Sequence, residues 1–280
     1  MARTKPVHSL VSMIGMRFPT ALWRHRDLWW RLTAREVIGR YRGSVLGWSW
    51  SFLTPLLMLG VYTFVFSEIF QTRWGTLDDA GPLGFAINLF AGMIAFNLFG
   101  ESANKAPELI LNNSNYVTKL VFPLEILAAV NVASASFHAL TSLVILAGFQ
   151  LLAVNSIPLT FLWLPLVWLP LLTGCLALSW LLSALGVFLR DVGQVVSVAT
   201  SMLMFLSAVF YPLNSLPQRL QPVLAINPLV LIIEQTRRVA VDGLSPSASY
   251  IVLGSVLGLA ACEMSYRSFQ LARRGFADVL

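Results

Sequence analysis

Residues 160–189 read TFLWLPLVWLPLLTGCLALSWLLSALGVFL, thirty positions without a charge. About 20 apolar residues cross the hydrocarbon core of a bilayer as a helix, and no water-facing fold could hide a run of this length. Just upstream, Asn155-Ser156-Ile157-Pro158 has the composition of a tight turn. Before that turn, residues 122–154 carry one charge, Glu125, close to the start. Two long apolar helices joined by a turn therefore set the class, and four further runs extend it. Trp48–Phe70 has Glu68 near its end, Leu83–Phe99 is uncharged, Val192–Tyr211 follows Arg190-Asp191, and Tyr250–Tyr266 contains Glu263. The 280 residues are 57% hydrophobic and 11% charged, where soluble domains hold about 25% charged. That excludes an ordinary soluble enzyme. The expected fold is an all-α integral membrane protein of six transmembrane helices, since a chain in hydrocarbon must satisfy its own backbone hydrogen bonds.

Basic residues near span ends set orientation. Fifteen of the 19 Lys and Arg fall on the side of the N-terminus and four on the other, which places both termini in the cytoplasm. Arg17, Arg24, Arg26 and Arg31 interrupt the leader before an apolar core forms, so no cleavable signal is read. Trp23 to Arg42 is expected to form an interfacial helix, because Trp23, Trp30, Ala34, Val37 and Tyr41 fall within roughly 40° of one line and arginines lie about 100° round from them. Three regions result: a cytoplasmic N-terminus over 1–47, a transmembrane domain over 48–266 and a cytoplasmic tail over 267–280.

The loops add detail. Residues 100–121 are polar and helix-compatible, with Glu101, Asn104, Lys105 and Glu108 ahead of Asn112-Asn113-Ser114-Asn115, and suit docking to a cytosolic subunit. Residues 211–249 hold Pro212, Pro217, Pro222 and Pro228 around an apolar stretch too short to cross, which reads as short re-entrant helices on the external face. Asn227-Pro228 is a helix start, Gly243 a stop, and Glu234 can pair with Arg237 or Arg238; these four polar residues, Asn227, Glu234, Arg237 and Arg238, are candidates for an external gate. None of the three lysines follows the glycine-rich pattern of a phosphate-cradling loop. His8, His25 and His138 are too scattered for a metal site, and His138 is expected to make interhelical hydrogen bonds. Cys175 and Cys262 read as small buried hydrophobes. Glu263 has no second acid nearby in sequence, which disfavours a proton relay. No cofactor or nucleic acid is expected on the chain.

The segment Arg35-Glu36-Val37-Ile38-Gly39-Arg40-Tyr41-Arg42-Gly43-Ser44-Val45-Leu46-Gly47-Trp48-Ser49-Trp50 resembles the membrane subunits of type-2 ATP-binding cassette exporters for bacterial polysaccharides. Lys119-Leu120-Val121-Phe122-Pro123-Leu124-Glu125, Val187-Phe188-Leu189-Arg190-Asp191, Phe210-Tyr211-Pro212 with Asn227-Pro228-Leu229, and the closing Gly275-Phe276-Ala277-Asp278-Val279-Leu280 strengthen the resemblance, which runs from about residue 35 to the end. It implies an inner-membrane homodimer joined to two cytosolic ATPase subunits. Those subunits bind ATP and Mg, and the assembly moves a lipid-linked polysaccharide of O-antigen, capsule or teichoic acid type. Arg35, Glu36, Glu101, Lys105 and Glu108 become the candidates for ATPase coupling. On an ideal helix Tyr41, Trp48, Phe52, Tyr62, Phe66 and Phe70 share one face while Trp50 and Phe64 point away. Rings suit the C–H faces of sugars, so this stripe is the candidate substrate path. Rival readings are export of a drug or lipid, and an intramembrane enzyme on lipid-linked sugars, for which the thirteen acids are too scattered.

Without a phosphate-binding loop, the purified chain is expected to hydrolyse no ATP on its own. Turnover in a preparation shown free of other ATPases would contradict this.

Overall fold

The computed structural model describes residues 17–65, 82–118 and 122–280; the expected positions Phe66, Glu68, Phe70 and Lys119 lie outside them. The described residues form helices and turns without a strand. The longer helices are α1 (Arg26–Arg40), α2 (Trp50–Phe64), α3 (Pro82–Lys105), α4 (Glu125–Val154), α5 (Leu169–Phe188), α6 (Val192–Leu206), α7 (Pro228–Ala240) and α8 (Ala248–Ala272). Four helical segments, Leu83–Glu108, Glu125–Val154, Leu159–Phe188 and Ala248–Val279, are long and apolar enough to cross a membrane, and Val192–Leu206 is a shorter apolar helix. The turn at Asn155 forms as read, with that residue in the left-handed region at φ 56°.

Helix α3 is the centre of the bundle. Residues 84–96 are all buried, packed on α4, α5, α7, α2 and α6. Helix α8 lies outermost and leaves Val252, Leu253, Val256 and Leu257 exposed. Its inner face is made of Gly254 and Gly258. A Cβ at Gly254 would lie 2.9 Å from Pro170 Cγ, and one at Gly258 would lie within 2.1 Å of Thr173 Oγ1. Two glycines four apart thus let the α8 backbone reach α5, the close approach that drives helix association in lipid. Gly186 of α5 does the same for the turn at 106–108, since a Cβ there would meet the Pro107 carbonyl.

Two expectations about boundaries need correction. The helix read over 23–42 is broken: Phe18–Arg24 forms one short helix, and His25 at φ −111°, ψ 23° separates it from α1. The break lets Phe18 bury against Trp180, with ring centroids 5.9 Å apart, while Leu32 and Val37 of α1 are buried, Leu32 against Ile126 and Val130 of α4. Trp23 and Trp30 remain exposed. Next, Tyr41 does not continue into α2, because the chain turns between Tyr41 and Trp48 through Gly43 at φ +86° and Gly47 at φ +50°, angles that glycine adopts without strain; Trp48 itself lies in the short 3-10 turn Gly47–Ser49 that leads into α2. The last helix continues beyond the expected span, from Ala248 to Ala272. The tail folds back beyond it, with Phe276 buried beside Phe188 and Phe269. Arg273 donates to Glu125 Oε2 at 3.0 Å and to the Phe122 carbonyl at 2.8 Å.

Replacing Gly258 with Leu should force α8 away from α5. Overpacking of this kind costs about 1–3 kcal/mol, read as a lower thermal unfolding midpoint in detergent. Gly148→Leu, where a Cβ meets nothing within 4 Å, should leave the midpoint unchanged.

Candidate functional site

A cleft of about 600 Å³ opens between α2, α3 and α4, closed at one side by Thr200 of α6 and at one end by Arg40 and Tyr41. Residues Trp50, Thr54, Met58 and Tyr62 of α2 line it, spaced by four so that they share one helix face. Phe90, Met93 and Asn97 face it from α3; Asn97 is the only exposed residue between 84 and 98. His138 and Ser142 complete the wall from α4. The lining thus combines rings with amide, hydroxyl and imidazole groups, a pairing that offers apolar faces and hydrogen-bonding edges together.

One end of the cleft is a charged hub. Glu101, with a side chain 19% exposed, contacts Arg40 Nη1, and lies 3.3 Å from Lys105 Nζ and 3.1 Å from His138 Nδ1. Arg40 Nη1 also lies 2.9 Å from His138 Nδ1, and Lys105 reaches Glu36 Oε1 at 3.5 Å. Helices α1, α3 and α4 are therefore tied at one carboxylate. Tyr41 stacks edge-on to His138 at 6.2 Å. Burial pushes its hydroxyl pKa upward, against the lowering pull of Arg40, so the phenol stays a donor.

The residues expected to line the path divide. Tyr41 and Tyr62 lie in the cleft, whereas Phe52 is exposed outside its lining and Trp48 stacks on Phe137 at 5.9 Å. Trp50, expected on the opposite face, lines it. For Tyr41 the cause is the interruption at Gly43 and Gly47, which takes it off the register of α2, while Trp48 sits in the tighter 3-10 turn Gly47–Ser49 that leads into α2. In addition, Phe52 and Tyr62 stand at opposite edges of the expected stripe, about 80° apart, and the cleft takes the Tyr62 edge.

Of the residues expected to couple, Glu36, Glu101 and Lys105 meet in the hub. Arg35 donates from Nη2 to the Tyr116 hydroxyl at 3.2 Å. Glu108 is exposed on the 106–108 turn, accepting from Asn112 Nδ2 at 3.3 Å, while Ala106, Pro107 and Ile110 beneath are buried. The segment therefore has a fixed inner face and an outward polar face of Glu108, Asn112 and Asn115. His138 bonds between helices as expected, but the part played by Arg40 was missed. Its position one residue before the turn at 41–43 is the only local signal.

At the far end, Asn227 caps α7, its Oδ1 accepting from Leu229 N at 3.0 Å. The expected pair of Glu234 with Arg237 spans 3.8 Å, and Arg237 spends its donors on backbone carbonyls. Arg238 instead donates to the Ser245 carbonyl at 2.7 Å. Glu263 accepts from the backbone N of Arg17 at 2.8 Å and Phe18 at 3.4 Å and from Arg267 Nε at 2.6 Å. It is the anchor of the first short helix. Among the described residues no three His, Cys, Asp or Glu side chains gather as a metal site requires, and Cys175 and Cys262 are free and buried.

Removing the Glu101 charge leaves partners of the hub unpaired, a cost on the order of 1–3 kcal/mol. Glu101→Gln should lower the unfolding midpoint in detergent, and Glu108→Gln, on the exposed turn, should not. Equal midpoints for the two variants would show that the hub does not hold α1 in place.

Comparison with known proteins gives a consistent picture. The O-antigen export system permease protein RfbA of Klebsiella pneumoniae is 23% identical over 255 residues, covering 91% of this chain and 95% of that protein. The protein of the same name from Myxococcus xanthus is 26% identical over 266 residues, 94% of this chain and 99% of that one. The polysialic acid transport protein KpsM of Escherichia coli is 25% identical over 222 residues, 76% and 80% respectively. The family described as ABC-2 type transporter matches residues 27–240, a stretch that contains the cleft, the charged hub and α7. The chain therefore belongs to the ABC-2 type transporter family.

Proposed function

We propose that this chain is the membrane subunit of an ATP-driven exporter that moves a polysaccharide, assembled on a lipid carrier, across a bacterial inner membrane. The observation that carries the reading is the cleft, whose rings and polar edges suit a sugar chain better than a compact hydrophobic drug. The relatives named for O-antigen export and polysialic acid transport support the cargo class. Two copies of the chain join two cytosolic ATPase subunits that bind ATP and Mg, and the exposed Glu108, Asn112 and Asn115 face those subunits. Six crossings, with α2 and α6 as the first and fifth and both termini in the cytoplasm, agree with the distribution of basic residues. Helix α7 and the short helix before it then lie re-entrant at the external face.

In this scheme the chain performs no bond chemistry. Trp50 and Tyr62 offer ring faces to a sugar while Asn97, Ser142 and the Tyr62 hydroxyl meet its hydroxyl groups. Contacts of this kind are individually weak and exchangeable, as a sliding polymer requires. Motion of the outward turn at 106–108 reaches the cleft through α3, because the turn continues that helix and Glu101 ties it to α1 and α4.

Trp50→Ala and Tyr62→Ala, assembled with the ATPase, should lower glycan export several-fold, each removing a ring contact worth about 0.5–1.5 kcal/mol. Phe64→Ala removes an exposed ring outside the cleft and should leave export near wild type. Export measured as surface glycan in cells deleted for the chain decides between them, and a loss confined to Phe64→Ala would reject the cleft as the path.

A further inference from the structure

We infer that Arg237 is a positioning residue that fixes two walls of the cleft from behind. The inference rests on the cleft being the transport path. Helix α6 stops at Leu206, and Ala208 takes φ +54°, a left-handed angle unusual for a residue with a Cβ. Ser207, Ala208 and Val209 are each 0% exposed. Non-helical backbone buried in this way must find partners for its freed carbonyls, and α7 supplies them. Arg237 donates from Nη1 to the Ala208 carbonyl at 2.8 Å and from Nη2 to the Val209 carbonyl at 2.6 Å. Asn227, at the start of the same helix, donates from Nδ2 to Ser207 Oγ at 2.9 Å.

The third contact joins this break to the centre of the bundle. Arg237 Nε donates to the Asn88 carbonyl of α3 at 3.0 Å, and the guanidinium lies on Gly92, where a Cβ would stand 2.5 Å from Nη2 and 3.0 Å from Cζ. The three bonds leave from three separate nitrogens of one planar group, a spread that the three donors on the single nitrogen of a lysine do not reproduce. Phe90 and Met93, flanking Gly92, line the cleft, as does Thr200 of α6. Arg237 is absent from that lining and 3% exposed, yet it sets α3 and the end of α6 in one geometry.

Thiol protection tests this directly. In the complex with the ATPase, Cys175 is replaced and Val209 becomes Cys, while the native Cys262, 0% exposed on α8, serves as a reporter of the overall fold. With Arg237 intact, both thiols should resist a small polar maleimide. Arg237→Gln and Arg237→Lys should raise labelling at 209 about tenfold by local opening, leave 262 protected, and lower export. Gly92→Ala, which pushes the guanidinium off its seat, should open 209 in the same way with Arg237 present. Protection at 209 in both Arg237→Gln and Gly92→Ala would overturn the inference, as would labelling of 209 and 262 together, which marks loss of the whole fold. Opening at 209 with unchanged export would overturn the link to transport. Loss of export in Trp50→Ala without any effect of Arg237→Gln would keep the cleft and reject its positioning residue.

Discussion

Helix α3 is enclosed along almost its whole length, and at three points its polar groups meet a neighbouring helix or the cleft. That constraint organises the molecule. Glu101 at one end gathers Arg40, Lys105 and His138. The Asn88 carbonyl at the other end receives Arg237, and Asn97 between them looks into the cleft. Burying the Glu101 charge unpaired would cost several kcal/mol, and the groups that meet α3 hold their helices in register around it. The cleft lies between the two anchored ends.

The remaining bundle is cross-linked by side chains that bond to backbone or hydroxyl groups on a second helix. Trp180 Nε1 donates to the Glu125 carbonyl at 2.9 Å, Asn131 Nδ2 to the Ser102 carbonyl at 2.8 Å, and Gln150 Nε2 to the Ala240 carbonyl at 2.7 Å. Trp168 Nε1 reaches Thr236 Oγ1 at 3.1 Å. Such bonds average roughly 0.6 kcal/mol each within a bilayer, so packing of α8 on α5 through Gly254 and Gly258 matters more to adhesion. The hydrogen bonds set which faces meet.

Features decided locally were readable from the chain. Long uncharged runs gave the helical class, Asn155 to Pro158 gave the turn, and Asn227-Pro228 gave the start of α7, because each depends on residues within one or two turns. The aromatic stripe was not readable, since an ideal helix was drawn through Gly43 and Gly47, where the backbone takes left-handed angles and the register is lost. Arg237 with Asn88, and Glu263 with Arg17, are separated by 149 and 246 residues, and nothing local announces such partners. The glycine pair at 254 and 258 was not read from the sequence; only the approach of Pro170 and Thr173 marks it as the side of α8 that meets α5.

The central claim is that the cleft between α2, α3 and α4 contacts the moving glycan. A photoreactive phenylalanine analogue placed singly at positions 50, 62 and 64, in the complex with its ATPase and irradiated during export, measures that contact directly. Glycan adducts at 50 and 62 with none at 64 are expected. Adducts at 64 with none at 50 or 62 would contradict the cleft and place the polymer outside its lining.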